Sequence, residues 1–256
     1  MKVKVPGFTL IIQNEFIFFA IAIFTLFSSC KKEHMFDCFK DTGKTISADR
    51  PVNPFNRIDM QNNVDLVVHF GTPYELKVTA GANLIDGITT EVRDSILYIK
   101  NENKCNWVRD FNNKYTVDIT TDDLINLVNW GSGNVTFADT LVTYEFVYDN
   151  WNASGIMNFK FNGERILIKI HTGTADVTVQ GKTGLNYIWL FGYGYMNCKD
   201  LQANEAFIVN MGTGDCRIQV KNDLHAEIEY MGNIYYSGEP HTLTTNITGT
   251  GQLLHE

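Results

Sequence analysis

The chain has 256 residues, 44% of them hydrophobic and 20% charged, enough apolar material for one large β domain or two small ones. A formal net charge of −8 repels phosphate backbones and argues against a nucleic-acid partner.

At the N-terminus Lys2 and Lys4 precede an apolar run from Phe16 to Phe27, followed by Ser28-Ser29-Cys30. The run has the length of a signal-peptide core and falls short of the roughly 18 residues a spanning helix needs. An uncleaved anchor beginning at Phe8 would carry Gln13, Asn14 and Glu15 into hydrocarbon, which is costly. Leu26-Phe27-Ser28-Ser29-Cys30 resembles a bacterial lipoprotein signal with a loose lipobox, Phe27 replacing the usual small aliphatic residue. Residues 1–29 are therefore expected to be removed and Cys30 to be lipidated, with several acyl chains holding the protein at the outer membrane or cell surface. Lys31-Lys32-Glu33 resembles the surface-export signals of Bacteroidota lipoproteins.

With Cys30 acylated, Cys38, Cys105, Cys198 and Cys216 remain, an even number that permits disulfides outside the cytoplasm. Cys38 and Cys105 form the preferred pair, because both lie in polar, loop-like stretches. Cys198 and Cys216 either stack on neighbouring rungs or serve as two small buried hydrophobes.

Residues 30–49 read as a tether and residues 50–256 as one domain. Val64, Leu66 and Val68 alternate with Asp65, Val67 and His69, and Gly71-Thr72-Pro73 turns the chain toward Leu76-Lys77-Val78. Ile88 to Val92 and Ile96 to Ile99 follow as a pair joined by Arg93-Asp94-Ser95. The stretch Asn101 to Asn113 reads as a loop, and Tyr115 to Ile119 as the next strand. No convincing amphipathic helix appears; Asp122 to Leu127 is too short to stand alone.

From Ile125 onward a repeat takes over. Trp130, Trp151, His171, Phe191, Met211 and Met231 recur at steps of 21, 20, 20, 20 and 20 residues, most with a glycine directly after. Three residues before each lies a second column, Leu127, Tyr148, Ile168, Ile188, Ile208 and Ile228; two before that, Ile125, Phe146, Ile166, Asn186, Ala206 and Ala226. These two columns share strand parity and face one way. A second strand starts in each repeat, at Val135, Ile156, Val177, Met196, Ile218 and Ile234. Such a period predicts an all-β parallel β-helix, or β-solenoid, of about 20 residues per coil with a rise of about 4.8 Å. Asn129, Asn150 and Asn210 precede the bulky column; turn chemistry within each corner is favoured over an amide ladder between rungs.

The turns Trp130-Gly131-Ser132-Gly133-Asn134-Val135, Thr172-Gly173-Thr174-Ala175-Asp176-Val177, Met211-Gly212-Thr213-Gly214-Asp215 and Met231-Gly232-Asn233-Ile234 resemble those of the autotransporter-adhesin head, or GIN, domain family. Arg50-Pro51 through Pro54-Phe55, Ile58, Val64-Asp65-Leu66 and Asn83-Leu84 are similar to that family's first strands. The resemblance spans residues 45 to 252 and implies a right-handed β-helix on a bacterial envelope lipoprotein with an adhesive role. It supplies no catalytic residues. Asn152-Ala153-Ser154-Gly155 and Phe191-Gly192-Tyr193-Gly194-Tyr195 depart from its smaller turn residues.

Catalytic patterns are weak. Asp176 and Asp215, two coils apart, would lie about 10 Å from each other, near the upper end of inverting-glycosidase spacing, but turn aspartates have conformational uses too. Gly212-Thr213-Gly214-Asp215 does not recur at the nine-residue period of calcium repeats. The six histidines are scattered, Ser132, Ser154 and Ser237 lack an evident histidine partner, and no cofactor or metal motif is present. The aromatics are the better lead: Trp130, Trp151 and Phe191, with Trp189, Tyr193 and Tyr195, are expected to line a ligand-binding face unless other strands cover them. The expectation is a non-enzymatic, lipid-anchored adhesin binding a glycan or an envelope or host protein through that face. Alternatives are a β-helix polysaccharide lyase or hydrolase, and a self-associating structural module of the envelope.

Overall fold

The computed structural model describes residues 41–104 and 113–256. The expected signal peptide, the expected lipidation site at Cys30 and the expected Cys38–Cys105 pairing lie outside the described residues.

Strands arise where apolar and polar side chains alternate, and they stack in parallel into the two faces of a solenoid. On the front face β6 (Ile96–Asn101), β2 (Arg57–Gln61), β8 (Asn126–Asn129) and β10 (Glu145–Ala153) lie side by side. The C-terminal halves of β11 (Ile156–Gly173), β12 (Asp176–Leu190), β13 (Met196–Asn210) and β14 (Cys216–Ile228) continue it to β16 (Thr242–Ile247). The back face runs from β7 (Thr116–Thr121) through β3 (Asp65–Phe70), β9 (Val135–Val142) and the N-terminal halves of β11 to β14, then β15 (Ile234–Ser237) and β17 (Leu253–His255).

The register delivers the predicted pile: Tyr148 pairs with Ile168, Ile168 with Ile188 and Ile188 with Ile208, all fully buried. Each isoleucine contributes about 1.5–3 kcal/mol by burial. One step differs from the sequence alignment. Ile208 pairs with Ala226 and Asn210 with Ile228, so the columns slip by two residues in that coil. On the back face the inward column is Val135, Met157, Val177, Met196, Cys216 and Ile234; Ile156 points outward, and Ile218 lies two residues beyond Cys216.

The strands before residue 120 extend the stack instead of layering over it. The β2–β3 coil lies between the β6–β7 coil and the β8–β9 coil, so the chain steps from it to one side and then crosses past it to the other before the regular repeat begins. Antiparallel strands close this end. β5 (Ile88–Arg93) pairs with β6, β4 (Glu75–Gly81) with β7, and β1 (Thr45–Asp49) with β4. Residues 45–49, expected in the tether, are thus part of the domain, because the outer edge of β4 needs a partner for its backbone groups. Arg50 reinforces the cap by donating to the carbonyls of Ile85 and Ile88 and to the Thr90 hydroxyl.

The glycines after the bulky column have a steric cause. A Cβ on Gly194 would lie 1.9 Å from the Ala175 carbonyl oxygen, on Gly214 1.8 Å from that of Gly194, and on Gly232 2.2 Å from that of Gly214. Successive corners therefore touch backbone to backbone, and only glycine fits. At this corner column only Gly173 also needs a positive φ.

Candidate functional site

Alternation persists into the corner, so the residues after Asn129 and Asn150 turn outward while the asparagines stay in. Trp130 is 47% exposed, Trp151 39% and Phe191 51%. Trp130 stacks on Trp151 with ring centroids 5.5 Å apart and planes 13° from parallel; Trp151 stacks on His171 at 3.7 Å and 8°. His171 meets Trp189 edge to face at 5.1 Å, and the Trp189 indole N–H donates to Met211 Sδ at 3.2 Å. His171 is held from behind by Asp149 at 3.2 Å, which also pairs with Lys169 at 3.7 Å. Tyr193 and Tyr195, 67% and 60% exposed, carry the surface from Phe191 around the corner. The predicted aromatics therefore form one L: a ring column along the axis, and an arm around a single coil.

The stack fixes what the rings offer. Trp151 has one face against Trp130 and the other against His171, so it shows its edge, not a flat face, to solvent. A pyranose needs an open ring face to lie on, whereas an apolar edge packs against protein side chains.

A second stack escaped the sequence reading. Tyr187, Phe207 and His225 are register partners on the same outer face, with Tyr187–Phe207 centroids 5.4 Å apart and Phe207–His225 4.3 Å, each pair nearly parallel. Its signal was present as outward-pointing aromatics at steps of 20 and 18 residues, the second broken by the slip after Ile208. Val147 and Leu167 continue that column, and the Asp149–Lys169 pair lies between it and the tryptophans, with Arg165–Glu145 at 2.9 Å and His225–Glu227 at 2.7 Å adding charge to the face.

The turn carboxylates have structural employment. Asp176 Oδ1 accepts the Tyr195 N–H and Asp215 Oδ1 the Asn233 N–H, each one coil on. Asp65 to Asn134, Asn134 to Ile156 and Asn233 to Gln252 repeat the same bond. This column of Asp and Asn side chains ties coil to coil at the start of the back face. The inner asparagines bond within their corners: Asn129 Oδ1 accepts from Gly131, Asn150 Oδ1 from Ala153 and Asn210 Oδ1 from Gly212. Between the first two, the buried Tyr148 hydroxyl accepts from both amides at 3.3 and 3.2 Å.

Cys198 and Cys216 are free and buried, and the register sets Cys198 beside Ile218 and Cys216 beside Met196, two places out of step. Burial pushes the Cys198 thiol up to about 12, and it raises Cys216 as well, helped there by Cys198 and Asp215. The buried Asn186 amide faces the Cys198 thiol too loosely for a regular hydrogen bond. Among the described residues no three His, Cys, Asp or Glu side chains gather as a metal site, and no helix is long and apolar enough to cross a membrane.

Fold and surface together define a single-chain parallel β-solenoid that displays an aromatic sheet face. The profile of the family described as putative auto-transporter adhesin, head GIN domain, matches residues 54–240, and the chain belongs to that family. Solved structures agree in fold. A putative adhesin from Bacteroides fragilis superposes with a TM-score of 0.78 at 22% identity, covering 85% of this chain and 100% of that one. A putative adhesin from Parabacteroides distasonis gives 0.63 at 18%, covering 85% and 100%, and a putative lipid binding protein from the same species 0.60 at 19%, covering 85% and 99%. No curated protein matches the chain significantly. The family and these neighbours are described as adhesins or a binding protein, not as enzymes, and an adhesin family points to the cell surface.

Proposed function

We propose that this protein is a lipid-anchored cell-surface adhesin that grips a protein partner through its front face. The stacked Trp130–Trp151–His171 column carries the reading, because Trp151 at its centre, covered on both faces, presents its ring edge on a rigid sheet beside a second apolar column. Such a surface pre-organises aromatic anchors at little entropic cost, which favours protein contact over sugar stacking. Occupied turn aspartates speak against the polysaccharide lyase or hydrolase alternative, since the Asp176 and Asp215 carboxylates already accept backbone N–H groups. Cys30 supplies the anchor in this proposal, holding the solenoid at the outer membrane.

The test is binding of the soluble domain to intact bacterial and epithelial cell surfaces, measured before and after two pretreatments. Protease treatment of the target should abolish binding and periodate oxidation should spare it; the Trp130→Ala/Trp151→Ala variant should bind neither target. The opposite sensitivity, together with loss of that binding in the tryptophan variant, would reassign the face to glycan. For the anchor, labelled palmitate should enter the full-length protein expressed in a Bacteroidota host but not its Cys30→Ala variant.

A further inference from the structure

At the opposite corner, where the back face turns into the next front strand, five successive coils leave a groove of about 890 Å³ that runs along the stack. Its rungs are 162–164, 182–184, 202–204, 219–221 and 238–241, and the register links Asn162 to Lys182, Lys182 to Gln202, Gln202 to Gln219 and Gln219 to Ser237. The groove is therefore about 19 Å long, four steps of the coil rise.

Its depth has a cause in the chain. Register partners run from Cys198 to Glu205 in one rung and from Ile218 to Asp223 in the next, so the later rung takes the corner with two fewer residues and sits back. Gly163 and Gly238 let the coils close up backbone to backbone along the floor, a Cβ on Gly163 coming within 2.0 Å of the Thr143 carbonyl oxygen and on Gly238 within 2.1 Å of that of Val220, and Gly184 leaves room for the Glu164 side chain.

We infer that this groove is a binding site for an extended, uncharged, β-linked oligosaccharide. Lys182, Gln202, Asn204, Lys221 and Glu239 line it, and among the described residues their side chains make no hydrogen bond or ion pair within the protein. Amides that donate and accept at once match hydroxyl groups that do the same. The coil rise resembles the advance of one hexose along an extended chain, so equivalent polar groups meet successive sugars. A peptide strand advances only about 3.3 Å per residue and would drift out of step with the rungs. Lys182 and Lys221 balance Glu164 and Glu239, which disfavours a polyanion.

This site is independent of the aromatic front face, and one titration series separates the two. Cellohexaose and chitohexaose are titrated calorimetrically into the wild-type domain, into Lys182→Ala/Gln202→Ala/Asn204→Ala, into Asn204→Trp, and into Trp130→Ala/Trp151→Ala, with the matching trisaccharides as length controls. Expected is saturable binding of at least one hexasaccharide, weaker binding of its trisaccharide, and a loss of roughly tenfold or more in both groove variants at unchanged melting temperature. The tryptophan variant should bind as the wild type does. Absence of saturable binding to either hexasaccharide overturns the proposal. So does binding that survives both groove variants, that ignores chain length, or that disappears only with the tryptophans.

Discussion

Trp151 lies face to face with His171, ring centroids 3.7 Å apart and planes 8° from parallel, and its other face meets Trp130. These rings stand on the outside of a sheet whose buried side holds the load, so they can be removed without opening the core. The Trp130→Ala/Trp151→Ala variant should fold, losing about 0.5–1.5 kcal/mol per ring contact. Its near-ultraviolet circular dichroism should lose the signal of coupled indoles while the far-ultraviolet spectrum stays that of strands. A double variant that fails to fold would place the column in the structural core.

Gly214 tests the corner. Because a Cβ there would lie 1.8 Å from the Gly194 carbonyl oxygen, Gly214→Ala must push two coils apart. A cost of about 1–3 kcal/mol is expected from overpacking, read as a lowered melting temperature. Gly71 is the control: its positive φ carries a strain of its own, but a Cβ meets nothing within 4 Å, so no coil is displaced.

The coil period and the isoleucine pile were legible because like residues recur on like registers from Leu127 to Ile208. The slip that pairs Ile208 with Ala226 was hidden, since Ile228 and Ala226 keep the expected types at the expected spacing. The N-terminal strands could not be placed from sequence: each has the period-two alternation of any strand, and nothing in it says that β2 sits between β6 and β8. The outward parity of the tryptophans and the stacking of Trp130 on Trp151 followed from alternation and the coil period, but the polar groove opposite depends on a register shift that a sequence does not display.

Ile208 is fully buried between Ile188 and Ala226. Ile208→Asp would place an unpaired carboxylate in the pile, a cost that a marginally stable domain does not survive. The variant should accumulate as insoluble protein; a soluble form melting like the wild type would contradict the stacked core.

Tyr148 is fully buried, and its hydroxyl accepts hydrogen bonds from Asn129 and Asn150. Tyr148→Phe keeps the ring but strands two amide donors, for about 1–3 kcal/mol in total. Denaturant midpoints should fall while the slope of the transition stays constant. Replacing Asn129 and Asn150 as well should deepen the loss, since the Gly131 and Ala153 N–H groups then lose their side-chain acceptors.

The two interior thiols predict an alkaline weakness. Burial raises Cys198 to about 12 and lifts Cys216 in the same direction, so the folded state holds these protons more tightly than the unfolded chain does. That contribution is complete below the ordinary thiol value of 9.0 and is lost as pH rises through it toward about 12. Urea midpoints should therefore decline above about pH 9, and Cys198→Val should decline less steeply. At pH 8 iodoacetamide should leave the Cys198 and Cys216 peptides unmodified in the native protein and alkylate both in denaturant, as mapped by mass spectrometry. Alkylation of either peptide in the folded protein at that pH would show that the coils open there far more readily than a closed, register-locked stack permits.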